Sequence, residues 1–149
     1  MTDSRRKGAV FERRIARDLR GWLPGAVVQR RRTDQQACAG EFDVQWGPGW
    51  PFAVECKDHK SFDAAHLWTR TGPLWTSWLA QAERQAGDEL VPLLVTNVPR
   101  RAVLALMPVA AEDALAVDHW SALMIVDSWA CVLWAELLSV PPDRLGGLR

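Results

Sequence analysis

The chain has 149 residues, 48% of them hydrophobic, and a formal net charge of zero. That is the size and composition of a single globular domain with a proper core. No stretch approaches the roughly 18 apolar residues of a membrane span, and the basic N-terminus lacks the apolar segment of a signal peptide, so a cytoplasmic protein with no membrane partner is expected.

The three cysteines, Cys38, Cys56 and Cys131, are odd in number and contain no CxxC pair, so they read as reduced thiols. The zero net charge hides an uneven distribution. Residues 1–32 hold ten of the eighteen Lys and Arg against three acidic residues, so this segment carries +7 and the remainder −7. A basic block followed by an acidic body suits a phosphate-binding face beside carboxylates that need cations; a merely solvated basic helix is the plainer alternative.

In chain order, residues 4–22 predict a helix, since Phe11, Ile15, Leu19 and Trp22 recur at helical spacing and Leu23-Pro24-Gly25 ends it. At about 100° per residue these four form one stripe, Arg13, Arg14, Arg17 and Arg20 cover the opposite side, and Glu12 falls at the stripe's edge, pointing towards the body. A boundary Glu paired to a nearby Arg would look the same. Three short β-branched or aromatic runs follow, at 26–31, 41–46 and 52–57, and the punctuated segment 47–51 between the last two predicts a hairpin. Residues 33–40 read as a polar loop. A second helix is expected at 73–86, strands at 91–97 and 102–107, a short helix at 110–116, a strand at 123–126 and a last apolar helix at 129–138. No repeat or linker divides the chain, so one domain spanning residues 1–149 is expected.

The chemistry concentrates on the expected hairpin. Counting by two, Glu41, Asp43 and Gln45 share one strand face, and so do Ala53, Glu55 and Lys57 on its neighbour. Two carboxylates one strand spacing apart repel unless a cation lies between them, and Mg²⁺ characteristically takes one or two carboxylates with water and phosphate oxygens completing its octahedron. Lys57 can then orient or deprotonate an attacking water, or neutralise charge on a phosphorane-like transition state. An isolated ExK tripeptide is also compatible with a cross-strand salt bridge and no catalysis. Only the whole order (helix Glu, loop, strand Asp, tight turn, apolar strand ending in ExK) makes the signal specific.

Lys7-Gly8 with Phe11-Glu12-Arg13, then Gly40-Glu41-Phe42-Asp43-Val44, then Val54-Glu55-Cys56-Lys57 resemble the motifs of the PD-(D/E)XK nucleases, most closely those of archaeal-type Holliday junction resolvases and their phage relatives. The resemblance covers roughly residues 5–97. It implies an α/β, restriction-endonuclease-like core with a central mixed β-sheet flanked by helices. It also implies a metal-dependent DNA endonuclease whose catalytic set is Glu12, Asp43, Glu55 and Lys57. Asp43, Glu55 and the backbone carbonyl of Cys56 would bind Mg²⁺, with Mn²⁺ able to substitute, and Glu12 would join directly or through water. Arg30 and Thr33 sit where such resolvases carry an arginine and a hydroxyl residue near the scissile phosphate, and Gln81 matches a polar position beside the site. Phe42 stands where the family usually has Pro, a departure in backbone shape and not in ligands.

Under this reading Arg5, Arg6, Lys7, Arg13, Arg14, Arg17, Arg31 and Arg32 are candidates for contacts to DNA phosphates, with branched or duplex DNA as partner. Cutting a four-way junction symmetrically calls for two sites, hence a homodimer. Trp68, Trp75, Trp78, Trp120, Trp129 and Trp134 offer interface material, or else core. Two alternatives stay open: a repair, end-processing or restriction-type nuclease of the same core, or a DNA-binding module without catalysis. No nucleotide cofactor is expected, since neither GxxxxGK[ST] nor GxGxxG occurs.

Overall fold

A computed structural model describes residues 3–31, 40–59, 65, 73–115 and 122–148. The expected positions Arg32, Thr33, Cys38, Trp68 and Trp120, and the side chain of Arg5, lie outside the described residues.

Helix α1 (Asp3–Trp22) presents Phe11, Ile15, Leu19 and Trp22 to the core and leaves Arg13, Arg14, Arg17 and Arg20 exposed, as the periodicity requires. Gly25, at φ 73°, turns the chain into strand β1 (Val27–Arg30), which pairs antiparallel with β2 (Phe42–Gln45). Strand β3 (Phe52–Lys57) then starts a separate five-stranded sheet. Its neighbours arrive as α2 (Pro73–Ala86), β4 (Val91–Val98), β5 (Ala102–Pro108), α3 (Val109–Leu115), β6 (Met124–Val126) and β7 (Trp129–Leu133), followed by the one-turn helix α4 (Trp134–Leu137) and a 3₁₀ segment, Pro142–Leu148.

The sheet order is β3-β4-β5-β7-β6, with β3 parallel to β4 and the other pairs antiparallel. The expected mixed sheet flanked by helices is therefore present, and α2 is the connection that a parallel β3–β4 pair demands. Strand alternation divides the core in two. Phe52, Val54, Cys56, Leu93, Val95 and Ala105 pack with α1 and the C-terminal segment, while Leu94, Leu104, Leu106 and Cys131 face Trp75, Trp78 and Ala82 of α2.

Two sequence expectations are corrected. The second and third strands do not form a hairpin: β2 pairs with β1, and the segment beside β3 is Gly40–Glu41, through a parallel bridge from Gly40 to Val54. The turn residues 47–51 were a sound sign of a turn, but burial decides the partner, and the almost wholly buried β3 finds its ladder with the equally apolar β4. The expected terminal helix at 129–138 is instead β7 followed by α4. Trp129 and Cys131 face one core and Val132 the other, so a continuous apolar run, ambiguous by periodicity, becomes a strand covered on both faces.

Four of the tryptophans considered as interface material, Trp75, Trp78, Trp129 and Trp134, are buried within the chain. Among the described residues no helix is long and apolar enough to cross a membrane.

Candidate active site

β3 is an edge strand of the five-stranded sheet and ends in Glu55-Cys56-Lys57. Its parallel register sets Glu55 beside Leu94 and Lys57 beside Thr96, so both side chains face α2. Glu55 is 1% exposed, which for a carboxylate demands a charge partner. Lys57 Nζ supplies it by an ion pair to Glu55 Oε1, and it also donates a hydrogen bond to Gln81 Oε1 at 3.0 Å. Gln81 thus stands beside the ExK strand, at the position the sequence indicated. The other Glu55 oxygen, Oε2, is buried without a hydrogen-bond donor.

Glu12 approaches from α1. Its side chain is largely buried and ion-paired with Arg30 of β1. Burial raises its pKa, the Arg30 charge offsets part of that rise, and the nearby Glu55 charge adds to it.

A third carboxylate, Glu41, joins them. Gly40 has φ 79°, and a Cβ there would lie 2.6 Å from both the backbone N and O of Val54, so only glycine allows the chain to press against β3 at this point. The Glu41 amide donates to Val54 O at 2.8 Å, and Glu41 O accepts from the Arg31 amide at 2.8 Å. The side chain so placed is buried, and its pKa is pushed up to about 8 by burial first, then by the charges of Glu55 and Glu12. The Cys56 thiol donates a hydrogen bond to it, and burial together with the Glu41 charge drives the thiol pKa well above its ordinary value. Oε2 of Glu41 is likewise buried without a donor.

Asp43 occupies a different place. It lies on β2 opposite Gln29, its side chain 43% exposed, 3.4 Å from Arg31 Nη2, and it accepts from Gln45 Nε2 at 3.2 Å. It lines an open hollow of about 570 Å³ with Arg31, Trp46 and Trp50, and neither Glu55 nor Lys57 borders that hollow. The expected face-to-face arrangement of Asp43 and Glu55 is absent because it required the β2–β3 hairpin. Glu41, which shares the face count with Asp43 in sequence, is the residue delivered to Glu55. The adjoining Gly40 was the available signal: a glycine directly before an acidic residue at the mouth of a strand marks a close backbone approach.

Of the basic candidates, Arg6, Arg13, Arg14 and Arg17 are exposed, whereas Arg30 is held by Glu12 and Arg31 by Asp43 and the Phe42 carbonyl. Lys7 is exposed as well. Arg14 and Arg17 both lie close to Asp18, which also accepts from Trp134 Nε1.

Among the described residues no three His, Cys, Asp or Glu side chains are gathered as a ready-made metal cage. The donors nevertheless fit a hard divalent cation, which needs only one or two carboxylates beside water and substrate oxygens. Glu41 and Glu55 each keep a buried oxygen with no donor, and burial first, then the neighbouring carboxylate charges, raise the Glu12 and Glu41 pKa values, with Arg30 offsetting part of the rise at Glu12. The Val54 carbonyl points to the open edge of β3, where it meets Glu41, and strand alternation aims the Cys56 carbonyl the same way.

Residues 3–127 match the family model described as "Phage putative PDDEXK endonuclease". No curated protein and no solved structure matches the chain. The matched span takes in α1, the Gly40–Glu41 crossing, the ExK strand and most of the sheet. Nucleases of the PD-(D/E)XK type generally use divalent metal ions and act on DNA. The chain belongs to this phage PD-(D/E)XK endonuclease family.

Proposed function

We propose that the protein is a Mg²⁺-dependent, structure-selective DNA endonuclease, acting as a Holliday junction resolvase that makes paired nicks in four-way junctions. The observation that carries the metal-dependent hydrolysis is the convergence of Glu55, Glu41 and Glu12 with Lys57 at the open edge of β3. Glu55, Glu41 and the Cys56 carbonyl are the proposed ligands, with Glu12 joining through water. Mg²⁺, with Mn²⁺ as substitute, supplies charge neutralisation at the phosphate when bound.

Lys57, steadied by Gln81, then gives up its contact with Glu55 and orients the attacking water. Arg30, half exposed and tied to Glu12, is the proposed contact to the phosphate next to the cut. The arginines of α1 hold neighbouring phosphates; such contacts carry no base information, which suits an enzyme that reads DNA shape. One cytoplasmic domain carries all these parts.

The junction reading rests on the resemblance of the motifs, and it requires a two-fold homodimer to present two sites. The test is cleavage of a synthetic four-way junction beside matched linear, nicked, flap and single-stranded DNA, with Mg²⁺ and with EDTA. Symmetric paired nicks on the junction alone, dependent on Mg²⁺, are expected. Cutting of the other substrates instead would replace the resolvase by a repair or end-processing nuclease. No cutting of any substrate would leave a DNA-binding module.

A further inference from the structure

At the sheet end where β3 presents Lys57, the parallel neighbour β4 runs on into the turn joining it to β5. That turn carries Arg100, in the left-handed conformation at φ 61°, and Arg101, whose amide donates to Val98 O at 3.0 Å. Both arginine side chains are exposed, and among the described residues neither makes an ion pair. Arg14 reaches the same place from α1, only 4.0 Å from Asp18 but in a long, solvent-facing contact. With Asn97, Val98, Ala102 and Val103 the three arginines line an open notch of about 240 Å³. The neighbouring polar group, Asn97, is already engaged with Asp58 at 3.1 Å.

Two adjacent like charges at the tip of a hairpin do nothing for folding, and three guanidiniums around one hollow repel each other without an anion. Guanidinium forks match phosphate oxygens. The notch lies about 10–15 Å from Lys57, one strand across and a few residues further along the sheet. That is a few nucleotides along one strand. Glu12 and Arg14 are two residues apart on α1, so one rigid helix fixes the spacing between acidic site and basic notch.

We propose that Arg14, Arg100 and Arg101 form a second anchoring site for a DNA backbone phosphate, a few nucleotides from the scissile bond. It deepens the nuclease reading and rests on it. The experiment is binding of a fluorescent four-way junction and of a matched duplex in EDTA across a salt series. It compares wild type, the double variant Arg100→Gln/Arg101→Gln, and Arg84→Gln on α2 as a distant exposed control.

The double variant is expected to bind roughly tenfold more weakly, with the slope of log K against log salt reduced by about two, while the control matches wild type. An unchanged slope in a double variant of wild-type thermal stability, alongside wild-type binding and Mg²⁺-dependent cleavage, overturns the notch alone. Wild type that neither binds nor cuts DNA overturns the notch and the nuclease reading together.

Discussion

The edge of β3 and the β1–β2 ribbon both carry acidic residues, and they treat them differently. On β3, Glu55 is buried on the α2 face of the sheet and ion-paired with Lys57. On β2, Asp43 is half exposed and balanced by Arg31 in a contact of the kind that contributes little. A carboxylate kept in low-dielectric surroundings with one oxygen unsatisfied costs the fold stability, and its persistence points to chemistry, whereas a solvated ion pair costs and supplies almost nothing. Position relative to the core, more than the identity of the acid, is the ground on which the β3 carboxylate is proposed for the site ahead of Asp43.

The comparison breaks most visibly at Gly40. Gly40→Ala drives a Cβ into the Val54 backbone at a positive φ, so a loss on the order of 2 kcal/mol or more and disappearance of cleavage are expected. Thermal melting and a cleavage assay read both effects, and wild-type behaviour would detach Glu41 from the site. Glu55→Gln should lower cleavage roughly a thousandfold while DNA affinity in EDTA stays within a few-fold, because the arginine face is untouched. Lys57→Ala is expected to cost roughly a hundredfold in single-turnover rate. Gln81→Ala, which only releases Lys57, should cost roughly tenfold.

How much of this was legible in the sequence follows the same division. α1 and the ExK strand could be read because their apolar spacing is dictated by the core they face: Phe11, Ile15, Leu19 and Trp22 on one, Phe52, Val54 and Cys56 on the other. Glu12 was readable from its place at the edge of that stripe. Of the Gly40–Glu41 crossing only the glycine was a signal, since whether β2 or a single bridge abuts β3 depends on which strand captures the edge, a tertiary choice that local turn residues do not encode. Likewise the run from Trp129 to Leu133 is apolar on both faces, so its period could not separate a helix from a covered strand.

A pH experiment sharpens the contrast further. In the metal-free protein the Glu41 pKa is raised from 4.5 to about 8 by burial and neighbouring charge. The folded state therefore binds the extra proton in that window. The stability this confers is fully present below about pH 4.5 and is lost as pH rises to about 8. Melting temperatures in EDTA should fall across the interval, and Glu41→Gln should flatten the decline; an unchanged decline in that variant would place the titration elsewhere. The smallest effect is expected on the ribbon: Arg31→Gln removes a partly exposed contact to Asp43 and should change stability by less than about 1 kcal/mol.

The most direct test of the account sets Glu41→Gln against Asp43→Asn, measuring Mg²⁺-dependent cleavage on the DNA substrate that wild type cuts best, with Mg²⁺ affinity measured by calorimetry on the same samples. Loss of both cleavage and metal affinity in Glu41→Gln, with both largely kept in Asp43→Asn, is the result the account predicts. Loss in Asp43→Asn with Glu41→Gln active would contradict it and return the second carboxylate of the site to β2.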